Sequence, residues 1–498
     1  MKINLFLFKI FLFYCFFCYG QQDVLNKASN SIKIDELKEK LYKYSSDEFG
    51  GRGTPSKGQQ LAVEYLQNHY KELGINSLKN DTYLQAVPLQ LEDKPEISLN
   101  ISDKIFNYYE DYISYANGPD FNYVSEEMVF IGFGIDDPKY SDYKGKDVKG
   151  KILVASGGEP FDENQNYLIG GKNRSKWSNS REEIRLKKSV ARKKGALGLI
   201  LIDNYLFRRY KYRHLDSDSG RGEKRMALSN YEENNFQVLL FSEKHKNFLK
   251  KDNLKFTMSF KKNVKKFTAD NVAAVIEGSV FPNEYIILTA HLDHVGIQDG
   301  EIYNGADDDG SGTVAMLEIA EAFALARDQG YQPKRSIIFL HVTAEERGLL
   351  GSQYYADYEP LAPLTQTVAN LNMDMMGRAD PERGIKNLNY IYIIGSDILS
   401  DDLHKINMNA NNNHAFLELD YRFNDINDPN QFYFRSDHYH FVKNNIPAIF
   451  YFSGVHEDYH QPTDTAEKIL YDIYKKRVKL IFHTAWELAN RENRIELK

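Results

Sequence analysis

From Asn271 onward the chain repeats one pattern: a short apolar run that ends in a histidine or an acid. EYIILTA runs into His291, Asp293 and His294, and RSIIFLHVTA runs into Glu345 and Glu346. VANLNM runs into Asp374, and IPAIFYFSG runs into His456, Asp458 and His460. A glycine-rich turn, NGADDDGSG, carries Asp307, Asp308 and Asp309 and opens a helix. Short apolar runs separated by helical segments such as SGTVAMLEIAEAFALA predict the buried strands of a mainly parallel sheet. Open sheets of this kind bind ligands just past the carboxyl ends of their strands. One histidine or acid in such a place is ordinarily a cap or a satisfied polar group. Its recurrence along one sheet points instead to a metal site. Imidazole and carboxylate without thiolate is the donor set of a catalytic or dinuclear zinc site. Two metals about 3.5–4 Å apart need a shared carboxylate and further ligands on each side. The sequence offers these, and a spare glutamate beside a ligand glutamate suits a general base.

Cysteine usage narrows the chemistry further. Cys15 and Cys18 are the 2 cysteines of the 498-residue chain. Both lie in an apolar run, LFLFKIFLFYCFFCYG, with Lys2 before it and Gly20 at its end. This reads as an export signal over 1–20, leaving a mature chain without disulfides, thiolate ligands or a cysteine nucleophile. Export to the periplasm or medium is expected, with no stable membrane span after cleavage. An uncleaved anchor and a lipid-modified Cys18 are the alternatives. The formal net charge of -7 gives no reason to expect a nucleic-acid partner.

The length predicts two or three domains. Ile32 to Gly74 has a helical pattern, with apolar Leu61, Val63, Leu66 and Tyr70 at three- and four-residue spacing and a glycine-rich turn, FGGRGTPSKG, before it. Near Val124 the texture changes to strands, EEMVFIGFGI and KGKILVASGGEP, followed by ARKKGALGLILIDN. The basic stretch RRYKYRHLDSDSGRGEKR, from Arg208 to Arg225, reads as a solvated loop. The expected organisation is a signal at 1–20, a first part of the main domain at 21–119, an inserted domain at 120–260 and the rest of the main domain at 261–498.

At the candidate residues the chain resembles the cocatalytic zinc peptidases that include bacterial leucyl aminopeptidases and glutamate carboxypeptidases. The matching stretches are AHLDHVG, YNGADDDGSG, TAEERGLLGS, NMDMMG, RSDHYHF and DYHQPTDT, in the family's order, with a weaker match over 376–430. The inserted block resembles a protease-associated domain through VFIGFGI, YKGKDVKGKILV and KKGALGLILIDN. The resemblance implies a three-layer α/β/α peptidase domain with a mixed, mainly parallel central sheet, and a mostly β insert. It implies two Zn2+ per chain, held by His291, Asp308, Glu346, Asp374 and His460, with Asp308 as the bridge. It makes Glu345 the general base, lets Asp293 orient His291 through a hydrogen bond, and suggests Tyr459 for the oxyanion. It also implies a cis peptide between Asp308 and Asp309. The expected function is an aminopeptidase acting on peptides. A carboxypeptidase or dipeptidase, a glutaminyl cyclase and a receptor-like binding protein are the rivals, and the intact ligand set with Glu345 argues against the last two. His341 reads as a core histidine. His294, His438, His440 and His456 are expected near the site without being ligands, and Arg435 meets either a substrate carboxylate or a structural acid. The inserted block is expected to narrow access to the metals. The oligomeric state is left open.

Overall fold

The structure is a computed structural model and describes residues 22–79, 81–114, 120–179, 182–218, 225–229, 236–251, 253–384, 387–425 and 428–498. The expected export signal at 1–20 lies outside the described residues. Among those described, no helix is long and apolar enough to cross a membrane.

The chain divides into two compact units, one of residues 1–88 with 268–498 and one of residues 89–267. The inserted unit begins before residue 120 because the preceding chain supplies strands to it. Leu89–Glu92 pairs with Arg225–Leu228, and Tyr112–Ser114 pairs with Leu239–Phe241. Its centre is a run of four strands, Phe121–Phe130, Ile152–Ser156, Gly198–Ile202 and Gln237–Phe241, each parallel to the next. Residues on one face of these strands bury Val154, Ile200 and Leu239, and those on the other bury Leu153, Leu199 and Leu240. A buried ion pair ties a helix to this sheet: Lys187 Nζ lies 2.7 Å from Glu183 and donates to the carbonyls of Ser156 and Gly158. The expected loop from Arg208 to Arg225 is instead helical as far as Asp218, since Asn204–Asp218 forms a helix whose first turn is capped by Asp203 and anchored by buried Leu206 and Phe207. Periodicity over its charged residues is weak, whereas the two apolar anchors and the cap decide the local fold.

The main unit is a three-layer α/β/α domain. Its sheet runs in the order Glu418–Asp420, Tyr390–Ile394, Ala448–Phe452, Thr367–Met373, Phe281–His291, Arg335–Val342 and, pairing with the last, Val272–Ile276. The four inner strands, Ala448–Phe452 to Arg335–Val342, are mutually parallel, and antiparallel pairing begins outside them. Alternate side chains serve two buried layers: Ile286, Leu288 and Phe339 face one, while Ile287, Ile338 and Leu340 face the other. Burial on both faces explains why these strands read as unbroken apolar runs. The helix Gly312–Asp328 is apolar on nearly every side and buried accordingly. Around it lie the helices Ile34–Tyr44 and Tyr471–Asn490. His341 is a core histidine, as expected: its Nε2 lies 2.8 Å from the Tyr70 hydroxyl, and burial pushes its pKa down to about 3.

Arg477, fully buried on the Tyr471–Asn490 helix, fastens the loop that follows Asp374. Its guanidinium donates to the carbonyls of Tyr390, Met376 and Arg378 at 2.7–2.9 Å. Replacing it takes the donor from two buried carbonyls and one partly buried one, each buried loss worth about 1–3 kcal/mol. Arg477→Leu is therefore expected to lower the unfolding free energy by roughly 3 kcal/mol or more, measured by urea denaturation.

Candidate metal centre

Because the inner strands are parallel, their carboxyl ends open on one edge of the sheet. His291 is the last residue of its strand, Asp374 directly follows Met373, and Glu345 lies three residues beyond Val342. Three non-glycine residues here have left-handed backbone: Ala344 (φ 55°) before Glu345, Met375 (φ 53°) after Asp374, and His460 itself (φ 53°). Such conformations cost of order 1–3 kcal/mol each and concentrate where side chains must be aimed rather than relaxed.

Asp308 occupies the centre. Its Oδ1 lies 3.2 Å from His291 Nε2, which is also 3.6 Å from Asp374 Oδ1 and 3.9 Å from Glu345 Oε2. Its Oδ2 lies 3.1 Å from His460 Nε2, which is 3.0 Å from Glu346 Oε2. One carboxylate thus divides its two oxygens between two groups of donors. The five expected ligands are brought together, with His291 and Asp374 on the Oδ1 side of Asp308 and His460 and Glu346 on the Oδ2 side. His460 Nε2 and Asp308 Oδ2 are buried and in contact, yet neither makes an aligned hydrogen bond. Lone pairs that face a common point rather than each other are what a cation requires. Among the described residues, no lysine or arginine forms an ion pair with Asp308, Glu345, Glu346 or Asp374, and their ion-pair partners are imidazoles. The residues present therefore fit divalent metal.

Electrostatics follow from this crowding. Burial opposes protonation of His460, but the carboxylates of Asp308 and Glu346 overcome it and hold its pKa at about 10. Burial also opposes a proton on His291, where Glu345 and Asp309 dominate and raise its pKa. Burial favours the neutral form of Asp308, yet His294, His291 and His460 keep it ionised well below the usual range. Glu345 moves the other way: burial raises it, His291 opposes, and Glu346, Asp437 and Asp374 add to the rise. Tyr459 stacks on His460 with ring centroids 4.0 Å apart. Burial and the carboxylates of Asp308 and Glu346 push its hydroxyl up, so it stays a donor.

The residues around these ligands are fixed by hydrogen bonds that the sequence did not disclose. His291 Nδ1 is 3.0 Å from the main-chain carbonyl of Asp293, so Asp293 orients it through its backbone; the Asp293 carboxylate instead accepts the Glu345 N–H at 3.1 Å. The peptide between Asp308 and Asp309 is cis, as the resemblance implied. Asp309 lies close to His291 and Asp374, but both its oxygens accept main-chain N–H groups, from His291, Gly312 and Met375. It is a brace for the turn and not a free donor. Gly312 has no room for a Cβ, which would fall 2.4 Å from Asp309 Oδ1 and from the Met373 carbonyl. Asp464 accepts the N–H groups of Asp307 and Asp308, and Asp307 is paired with His456 at 3.2 Å. Arg52, from the early FGGRG turn, is fully buried and donates to the carbonyls of Asn304 and Gly305 at 2.7 and 2.8 Å. Asp374 Oδ2 accepts the Ser436 hydroxyl at 2.6 Å, and Ser436 in turn accepts from Asn372 at 2.8 Å. Thr289 donates to Asn372, which continues this chain into the sheet.

Of the remaining expected neighbours, His438 is buried against Phe450 and His440 lies 3.6 Å from Asp357, so neither reaches the metal donors by these contacts. Arg435 is exposed, lies over the Phe432 ring and makes no ion pair with the described residues. It lines a cleft together with Asp308, Glu345, Glu346, Asp374 and Tyr459, whose other wall is Met375, Phe432, Phe450, Phe452 and Val455. RSDHYHF was legible as a motif, but only the fold shows that its serine touches a ligand.

A doubly covered, mainly parallel sheet thus gathers histidines and carboxylates at one edge, a donor set that suits a metal centre. Residues 271–485 match the model of peptidase family M28. An aminopeptidase from Aneurinibacillus sp. strain AM-1 has a similar fold, with TM-score 0.50 and 20% identity over 94% of this chain and 97% of that one. Local relatives are more alike in sequence. Mouse aminopeptidase NAALADL1 is 38% identical over 110 residues, which is 22% of this chain and 14% of that protein. Leupeptin-inactivating enzyme 1 of Streptomyces exfoliatus is 39% identical over 100 residues, 20% of this chain and 21% of that protein. A probable glutamate carboxypeptidase of Arabidopsis thaliana, LAMP1, is 36% identical over 105 residues, 21% of this chain and 14% of that protein. The chain thus spans less than a quarter of the length of each of these relatives.

Ser436 is an indirect contributor to the centre, and its removal frees Asp374 to rotate. Ser436→Ala is expected to weaken metal binding by about 10-fold or more, as loss of a partner to a ligating carboxylate does, read by chelator competition.

Proposed function

We propose that the chain is a zinc-dependent exopeptidase that removes N-terminal residues from peptides, with two zinc ions per chain. The observation that carries this reading is the division of the Asp308 carboxylate between two histidine–carboxylate groups, with Glu345 beside them. His291, Asp308 and Asp374 would hold one ion, and Asp308, Glu346 and His460 the other. Bound zinc supplies Lewis acidity and lowers the pKa of water toward about 7. Glu345 would accept the proton of the attacking water and return it to the leaving amine. Its burial among other carboxylates raises its proton affinity, which suits a group that must take up a proton and then give it back. Tyr459, kept protonated, would donate to the developing oxyanion. The apolar wall of the cleft, formed by Phe432, Phe450, Phe452 and Val455, suits a large apolar side chain at the cleaved end. The apolar segment at 1–20 supports export, and the motifs of the inserted unit support a protease-associated domain.

A second reading rests on Arg435, a cation in the cleft without an ion-pair partner among the described residues. It would favour a carboxypeptidase or dipeptidase that grips a terminal carboxylate. The names of the mouse aminopeptidase and the Arabidopsis carboxypeptidase mark the same two choices. A panel of free-amine, N-blocked and C-amidated peptides, assayed with zinc and after chelation, separates them. The expected outcome is zinc-dependent cleavage of free-amine peptides, amidated or not. Cleavage of N-blocked peptides with a free carboxylate would favour the second reading, and equal cleavage after chelation would defeat both.

Glu345→Gln is expected to keep two zinc equivalents while losing about 100- to 10,000-fold in kcat, the usual scale of general acid–base catalysis. Zinc content by metal analysis and single-turnover assay check this together, and loss of zinc would make Glu345 a ligand.

A further inference from the structure

His294 follows the AHLD motif and is fully buried, yet the ligand set above does not use it. Its Nδ1 lies 2.8 Å from Glu346 Oε1 and 3.7 Å from Asp308 Oδ2. Its Nε2 is buried without a hydrogen-bond partner among the described residues. The ring stands edge-on to His460, with centroids 5.5 Å apart.

These contacts choose a tautomer. With the proton on Nδ1, the ring donates to Glu346 and leaves only a lone pair at Nε2. With the proton on Nε2, a buried N–H has no acceptor, which costs about 1–3 kcal/mol, and two lone pairs face each other across the 2.8 Å contact. The Nδ1–H form is favoured, and in it Nδ1 has no lone pair to offer a metal.

The ring is also held in place. Gly305 has φ 53°, and a Cβ there would fall 2.5 Å from Cγ and Cδ2 of His294, so only glycine leaves room for the ring. The Gly305 carbonyl is in turn held by Arg52 at 2.8 Å. Glu346 therefore has its oxygens assigned separately: Oε1 to His294 and Oε2 toward His460 at 3.0 Å.

We propose that His294 is a positioning residue for the second zinc site, holding Glu346 by Oε1 so that Oε2 alone faces the point shared with His460 and Asp308 Oδ2. This rests on the two-zinc reading. Without the bond, Glu346 is free to rotate about its terminal torsion, and the second ion loses a fixed ligand while the first keeps His291 and Asp374.

The test uses the full chain with zinc and three variants, His294→Leu, His294→Asn and His294→Gln. Asparagine places its amide donor close to the position of Nδ1, whereas glutamine reaches toward that of Nε2. Chelator competition gives the affinity of each zinc equivalent, and circular dichroism reports folding. The expected result is a loss of about 10- to 100-fold for one equivalent only in His294→Leu, near-complete rescue in His294→Asn and little rescue in His294→Gln. Should the leucine variant not fold, the order of asparagine over glutamine carries the test alone. Unchanged affinity for both equivalents in folded His294→Leu, or glutamine rescuing better than asparagine, overturns the positioning role. A wild-type protein that binds fewer than two equivalents overturns the two-zinc reading itself, and this proposal with it.

Discussion

Everything at this edge of the sheet is arranged around one electrostatic problem, the burial of several carboxylates within contact of one another. Two like charges 4 Å apart repel by about 4 kcal/mol at an effective dielectric of about 20. Asp308, Glu345, Glu346 and Asp374 share one cleft, and the imidazoles of His291, His294 and His460 are the nearest compensating groups. Such a cluster is costly for a protein that does nothing with it. Under the proposed two-zinc reading, divalent cations would offset this cost, with Asp308 shared between them by one oxygen each.

The fold holds this arrangement by making the surrounding backbone rigid rather than by adding ligands. The turn at 305–312 is fixed by Arg52 at its start, by Asp464 beneath Asp307 and Asp308, and by Asp309, which gathers three main-chain N–H groups from three different segments. Apart from the local bond from Gly312, each of these joins different parts of the chain. Asp374 is steadied in the same manner by Ser436, Asn372 and Thr289, a polar chain crossing adjacent strands inside an otherwise apolar sheet. Buried polar chains of this kind are stabilising only when every member is satisfied, and this one links the ligand to the core of the domain. The groups that hold these residues therefore come from the early helical segment, the central strands and the last third of the chain together.

Much of the metal centre was legible in the sequence because its residues are tied to strand ends, and strand ends are marked by apolar runs that stop. His291, Glu345, Glu346 and Asp374 lie within four residues of such a stop. His460 lies farther from its strand and was recognisable through the DYHQP motif. The helix after the aspartate turn was equally plain, since a stretch apolar on all sides has to be buried. The segment after Arg208 was misread because charge density suggested a solvated loop, while two apolar anchors and a capping aspartate make it a helix.

What the sequence determined by itself was the donor chemistry and the edge on which it collects: imidazoles and carboxylates, no thiolate in the expected mature chain, and a parallel sheet to align them. Period-2 burial and residue type suffice for that, since both are local. The tertiary structure decided how the donors are shared and held. That Asp308 faces both groups, that Asp293 orients His291 through its carbonyl, that Asp309 is a brace, and that His294 and Ser436 grip Glu346 and Asp374 all depend on distances between segments far apart in the chain. A one-dimensional pattern carries the identity of a polar group but not its partner, because a hydrogen bond is decided by an alignment of a few tenths of an ångström that only the folded packing fixes.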